Sequence, residues 1–269
     1  MADLDLIGIK ALTFDTGGTV LDWHTGFVTA LKAAGDKHGV KDKDWDALAN
    51  KLRQKSMAKT VSQGQDANTF KQLHAIKTFD DGHRDALEEL LPEMGLTMLS
   101  DEEKRAIWFD AAHSLRCWPD FPAVLPELRK RYMVCSFTLL SYRLIMDTAK
   151  ANRLSWDAVF SCEGIGKYKV LPESYNSVAK FLQLKPEEIM MVATHNFDLN
   201  AARACGYKSA FVRRPDEWGP TGPPDADIMS KGNAKHVSTP DPHHDIICDT
   251  FPELAERLGV PLGPQCCIQ

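Results

Sequence analysis

Two periodicities alternate along the chain. Apolar runs of three or four residues, bounded by Gly, Ser or Asp, read as buried strands; stretches with apolar residues every third or fourth position read as helices. The first strand, Leu12-Thr13-Phe14, ends abruptly in Asp15. Gly17 and Gly18 then permit a tight turn whose N–H groups face whatever Asp15 contacts, and the Thr19 hydroxyl can hold that loop. Asp22-Trp23-His24-Thr25-Gly26 reads as a linker. From about residue 26 to about 118 the helical period dominates. Phe27, Leu31 and Ala34 share one face, and Leu48, Leu52 and Lys55 begin another; residues 86–91 form a third helix stopped by Pro92, and 101–115 a fourth with Ser100 as N-cap.

Trp118-Pro119-Asp120-Phe121-Pro122 ends the helical block, since two nearby prolines break a helix. Beyond it the periods alternate. Helices are expected at 124–130, 144–152, 172–182 and 199–205, the last stopped by Gly206; strands are expected at 132–135, ending in Ser136, and at 158–160, 189–192 and 209–212. Residues 213–243 form a long loop rich in Pro, Asp, Gly and His, before a strand at 246–248 and a helix at 251–258. The alternation predicts an α/β fold, a Rossmann-like and mostly parallel sheet covered on both faces, with active loops at the carboxyl ends of the strands. The expected division is an α/β core of 1–25 and 119–262, an inserted all-helical cap of 26–118 over the strand tips, and a tail of 263–269.

Composition narrows the partners. With 269 residues, 43% of them hydrophobic, the chain can bury a substantial core. Its net charge is −5, and 32 Lys+Arg are mixed among 37 Asp+Glu, so no basic face suggests nucleic acid and a small molecule is the expected partner. No run approaches a membrane span, and Met1-Ala2-Asp3-Leu4-Asp5 is acidic where a signal peptide would be basic, so a cytoplasmic protein is expected. Seven Cys at irregular spacings point to reduced thiols rather than disulfides or zinc. Cys266-Cys267-Ile268-Gln269 fits a prenylation box, but without a polybasic segment no membrane anchor is expected.

If each βα unit delivers its polar residues to one rim, that rim collects Asp15, Ser136, Lys169 and Asp198. The combination has a chemical logic. A carboxylate nucleophile needs a nearby cation to stay ionised, and a buried lysine needs a second acid to fix it. Each residue alone has an ordinary alternative, Ser136 and Asp198 as helix caps and Lys169 as a solvated side chain.

The order of these residues resembles the motif set of the haloacid dehalogenase superfamily over most of residues 7–260: Asp15 followed by Gly18-Thr19, then Ser136, Lys169 and Asp198. Phosphatases of that superfamily carry a second Asp two residues after the nucleophile and a metal-binding Asp early in the fourth motif; here these positions are Gly17 and Thr194. A magnesium site needs hard, preferably anionic oxygens, so the resemblance implies a site without metal or other cofactor. It points to the L-2-haloacid dehalogenase branch, through Leu52-Arg53-Gln54-Lys55, the Lys169–Tyr175 spacing, and Thr194-His195-Asn196-Phe197-Asp198. By that resemblance Asp15 attacks the α-carbon of a small 2-halocarboxylate, Arg53 receives the halide, and water hydrolyses the aspartyl ester. Thr16, Gly17, Thr19, Phe137, Tyr175 and Phe197 would flank the substrate, and a homodimer is implied.

Three substitutions depart from the branch. Gly17 replaces an aromatic and is expected to open space beside the nucleophile; Phe137 replaces an Asn that helps hold the halide; His195 replaces an Asn that positions water, and can itself serve as base or donor. Val170-Leu171 also stand where the third motif has Pro and a polar residue. The alternatives are therefore a phosphatase whose acid comes from elsewhere, a hydrolase that opens a strained ring such as azetidine-2-carboxylate, and a degenerate binding module.

Overall fold

The computed structural model describes residues 6, 8–64, 78–220, 222 and 239–263, so the Cys266-Cys267-Ile268-Gln269 box lies outside the described residues. Among the described residues the apolar runs form six strands: β1 Ala11–Phe14, β2 Met133–Thr138, β3 Ala158–Ser161, β4 Ile189–Ala193, β5 Lys208–Val212 and β6 Ile246–Cys248. They make one sheet in the order β3-β2-β1-β4-β5-β6, with every pairing parallel. The order reverses beside β1, and open parallel sheets place ligands at such a switch point. Successive side chains alternate between two apolar layers. Leu12, Phe14, Met190 and Val192 enter one; Ala11, Phe137, Ile189 and Met191 enter the other.

Between β1 and β2 the chain is helical: α1 Trp23–Lys37, α2 Trp45–Gly64, α3 Phe79–Met94, and α4 Asp101–Arg105 continuing into a π-helical turn, Ala106–Ala111. Two sequence expectations are corrected here. Asp22-Trp23-His24-Thr25-Gly26 is not a linker, because the Asp22 carboxylate accepts a hydrogen bond from the Thr25 N–H and caps α1, which begins at Trp23. Pro92 does not stop its helix; α3 runs on to Met94 and ends at Gly95 in the left-handed conformation (φ 72°). Proline already has a helical φ, and in the last turn it removes a single backbone bond. Ser100 caps α4 through a capping box.

The remaining helices are α5 Leu125–Arg129, which precedes β2, and α6 Tyr142–Ala151, α7 Cys162–Ile165, α8 Pro172–Leu182, α9 Asn196–Ala204 and α10 Phe251–Arg257, which follow it in turn. A polar latch ties the helices inserted after β1 to the sheet layer. His113 contacts Asp80 of α3 (3.2 Å) and Asp147 of α6 (2.8 Å), and the Ser141 hydroxyl, which also caps α6, donates to Asp80 (2.7 Å). Across the top, the Asn50 side-chain amide of α2 donates to the carbonyl of Trp218 (3.0 Å). Among the described residues no helix is long and apolar enough to cross a membrane.

Candidate active site

Asp15 follows the last residue of β1, and its backbone N–H still donates to Val192 on the neighbouring strand (2.9 Å), so its position is fixed by the sheet. One carboxylate oxygen, Oδ1, accepts from Lys169 Nζ (2.9 Å), which also donates to Asp198 Oδ2 (2.7 Å). The Tyr175 hydroxyl donates to the other Asp198 oxygen (2.7 Å). Lys169 and Asp198 are buried to within 2%. Lys169 comes from the loop between α7 and α8 rather than from a strand, turned inward beside Val170, which adopts φ 66°. A β-branched residue there is strained, and such strain persists only where surroundings impose it.

The second Asp15 oxygen meets different partners. Thr19 Oγ1 donates to Oδ2 (2.7 Å) while accepting the Thr194 N–H (3.0 Å). His195 Nδ1 lies 3.3 Å from Oδ2, and its Nε2 lies 2.9 Å from Glu217 Oε1. Glu217 is itself buried and accepts the Trp23 indole N–H (3.2 Å). Arg214 anchors that loop, with its guanidinium paired to Asp120 (3.0 and 3.1 Å) and bonded to the Thr19 carbonyl (3.1 Å).

These contacts set the charges. Burial alone would raise the Asp15 carboxyl, but the Lys169 ammonium and His195 outweigh it and hold Asp15 well below the usual carboxylate range. Burial would lower Lys169, and Asp15 with Asp198 raises it instead. Burial, with the charge of Asp15 nearby, lifts Asp198. His195, which burial would push down, is pushed up to about 10 by Glu217 and Asp15. At neutral pH it is an imidazolium between two carboxylates.

A cavity of about 20 Å³ remains beside Asp15, the size that holds one water molecule. Arg53 and Met57 of α2 close it from the helical side, Thr138, Leu139 and Leu140 from the end of β2, and His195 and Phe197 from the start of α9. The Arg53 guanidinium lies over the rings of Trp23 (5.4 Å) and Phe79 (5.3 Å), and Phe197 stacks on His195 with centroids 5.2 Å apart. Among the described residues no group of three or more His, Cys, Asp or Glu is placed to hold a metal ion.

The structure therefore brings Asp15, Lys169, Asp198, His195, Arg53, Gly17 and Phe197 to one cavity. Thr16, Thr19 and Tyr175 stand behind it: Thr16 donates to Thr138 (2.7 Å), Thr19 holds the nucleophile's oxygen, and Tyr175 fixes Asp198. Ser136 and Phe137 are corrected. β2 runs to Thr138, so Ser136 sits within the strand level with Phe14, its hydroxyl buried without a hydrogen-bond partner. Phe137 points into the layer beneath, edge-on to Tyr175, with Lys169 Nζ 4.9 Å from its ring centroid. Thr138 and Leu139 are the residues at the rim. Gly17 does not open space either: a Cβ there would lie 2.8 Å from Arg53 Nη2, so the guanidinium fills what a side chain would occupy.

Thr138 could have been found by following the strand's alternation two residues further. Glu217 had no such signal, because it lies in an aperiodic segment 22 residues beyond His195.

Comparison with known proteins agrees with this geometry. A family model described as haloacid dehalogenase-like hydrolase matches residues 9–206. The chain is 26% identical over 216 residues to (S)-2-haloacid dehalogenase 1 of Pseudomonas sp. (strain CBS-3), covering 78% of this chain and 88% of that one. The solved L-2-haloacid dehalogenase PA0810 superposes with a TM-score of 0.77 at 28% identity, covering 93% of this chain and 99% of that one. The defluorinating L-2-haloacid dehalogenase Rha0230 superposes with a TM-score of 0.78 at 30% identity, covering 93% and 95%. With a strand-tip aspartate salt-bridged to a buried lysine, helices inserted after the first strand, and matches over most of its length, the chain belongs to the haloacid dehalogenase-like hydrolases, in their L-2-haloacid dehalogenase-like branch.

Proposed function

We propose that the protein hydrolyses the carbon–halogen bond of a small (S)-2-haloalkanoic acid through an ester on Asp15. The observation that carries this reading is an ionised carboxylate, locked by Lys169, facing a small cavity that Arg53 enters from the helical side. Attack at carbon needs a desolvated anion on one atom and charge relief for the departing halide on another, and fixed donors in a dry pocket supply both. In this reading Asp15 is the nucleophile and Arg53 receives the halide. Lys169, held by Asp198 and Tyr175, keeps the nucleophile ionised. Gly17 and Thr138 line the cavity and offer polar groups to a substrate carboxylate, with Thr16 behind them bonded to Thr138, while Leu139, Met57 and Phe197 exclude water. The similar enzymes named above are dehalogenases of L-2-haloacids, one of them defluorinating, which supports the same substrate class here.

The space left beside Asp15 is the size that holds one water molecule, so the cavity widens when a haloacid binds. The phosphatase alternative loses support because the position of its second acid is filled by a guanidinium, and both cavity carboxylates are already paired with Lys169. Turnover of 2-chloropropionate enantiomers and fluoroacetate in heavy-oxygen water, followed by intact-protein mass spectrometry, tests the reading. Heavy oxygen should enter Asp15 over repeated cycles, halide release should persist in EDTA, and Asp15→Asn should lose on the order of 10⁴-fold or more in rate. Activity abolished by EDTA and restored by magnesium would falsify it.

A further inference from the structure

His195 lies between two carboxylates. One is the nucleophile, Nδ1 to Asp15 Oδ2 at 3.3 Å; the other, Glu217, has no place in the attack on carbon, yet it is 2% exposed and 2.9 Å from Nε2. The fold makes room for it. Gly18 adopts φ 90°, and a Cβ at that residue would lie 2.0 Å from Glu217 Oε1, so the glycine after Gly17 permits the carboxylate to reach the ring. Trp23 from α1 donates to the same oxygen, and Arg214 pins the loop to Asp120 and Thr19.

We propose that Glu217 positions His195 as the base for the second half of the reaction, and that ester formation on Asp15 is what frees that base. The inference rests on the dehalogenase reading above. The charged groups around the ring are Asp15 and Glu217 in direct contact, Lys169 on the far oxygen of Asp15, and Arg53 across the cavity, with Phe197 stacked on the ring face. In the resting site Lys169, Arg53 and His195 stand among the carboxyl groups of Asp15, Asp198 and Glu217.

When Asp15 attacks, a carbon–oxygen bond forms, the carbon–halogen bond breaks with its electron pair on the halide, and the carboxylate becomes an uncharged ester. His195 then keeps one anionic partner instead of two and releases a proton to solvent. The remaining proton stays on Nε2, facing Glu217, and Nδ1 presents its lone pair beside the Asp15 carbonyl. A water there gives one proton to Nδ1 as its oxygen adds to the carbonyl carbon. Collapse of that adduct breaks the bond to the product oxygen, which leaves with the water's second proton as a 2-hydroxy acid. Asp15 is again a carboxylate and His195 again an imidazolium. One proton thus reaches solvent per cycle, in the first half-reaction.

Single-turnover mixing of excess enzyme with (S)-2-chloropropionate, in weak buffer with a pH indicator and with quenched samples for intact mass, separates the two halves. In the wild type, proton release should match the rate of adduct formation and precede adduct decay. In His195→Gln the adduct should form and then decay about 100-fold or more slowly, without the early proton. Glu217→Gln keeps the shape of the side chain; it should slow decay about 10-fold or more and move the pH profile of decay to lower pH, while Glu217→Asp restores part of the rate. A purely structural Glu217 would slow formation and decay together and leave the profile in place. Proton release that tracks adduct decay, or a His195→Gln enzyme that clears its adduct at the wild-type rate, overturns the proposal alone. Absence of both adduct and halide in the wild type removes the dehalogenase reading and this inference with it.

Discussion

The two oxygens of Asp15 are held by different kinds of chemistry. Oδ1 faces Lys169, and behind it Asp198 and Tyr175 complete a closed network in which every partner is buried. On that side burial lifts Asp198, Asp15 and Asp198 raise Lys169 against the effect of its burial, and burial drives Tyr175 well above its ordinary value. Oδ2 faces Thr19 and His195, and His195 leads on to Glu217. In the proposed reaction the charge on that side follows the state of Asp15. The difference teaches how one carboxylate can be held ionised at rest and still be consumed in turnover: a fixed cation prepares the nucleophile, and in the proposal a conditional one responds to its esterification.

Removing the fixed side should have the largest effect. Lys169→Met leaves Asp15 and Asp198 buried without their shared cation, and urea unfolding should show a loss of about 3–5 kcal/mol together with loss of halide release. A near-normal midpoint would mean that the network is not a closed ion pair. The conditional side should appear as a pH dependence. The folded value of His195 is raised to about 10, so its stabilisation is complete below the unfolded value of about 6.5 and is lost as pH rises through about 10. Across that window stability should fall by up to about 1.4 kcal/mol per pH unit, and His195→Gln should flatten the slope. Part of the slope should survive in that variant, because His113 is also raised by Asp80 and Asp147 against the lowering effect of burial.

Smaller effects separate the two sides more finely. Gly18→Ala forces a Cβ to within 2.0 Å of Glu217 at a positive φ, and should lower the thermal midpoint by the equivalent of about 1–3 kcal/mol while the Lys169 network stays intact. Its ester adduct should also outlive that of the wild type. Gly17→Ala meets only the flexible end of Arg53, at 2.8 Å, and should cost less than about 1 kcal/mol. Steady-state kinetics should show kcat and kcat/KM falling together, because Arg53, which receives the departing halide in the proposed reaction, is displaced while Asp15 is not.

The Asp15, Lys169 and Asp198 triangle was legible because each residue follows a short apolar run or a Gly-rich turn in a βα series, and parallel strands deliver such residues to one rim. The end of β2 was placed two residues too early. A hydroxyl at Ser136 looks like the end of a strand, yet a buried strand tolerates a small polar side chain, and β2 runs on to Thr138. Pro92 and the Asp22–Gly26 stretch misled for a related reason: a proline or a capping Asp marks a helix turn as readily as a loop, and the packing around it decides which.

Periodicity encodes which face of an element is buried, and that information is local, so the order of strands and helices, the layers they form and the kinds of chemistry at their ends could be taken from residue pattern alone. Which side chains meet is a matter of geometry between segments far apart in the chain. Arg53 fills the place that Gly17 leaves empty only because α2 folds over β1, and Glu217 reaches His195 only because Arg214 and Trp23 fix an aperiodic loop against Gly18. No repeat in the sequence marks that loop, since its conformation is set by contacts with other elements rather than by its own alternation of apolar and polar residues.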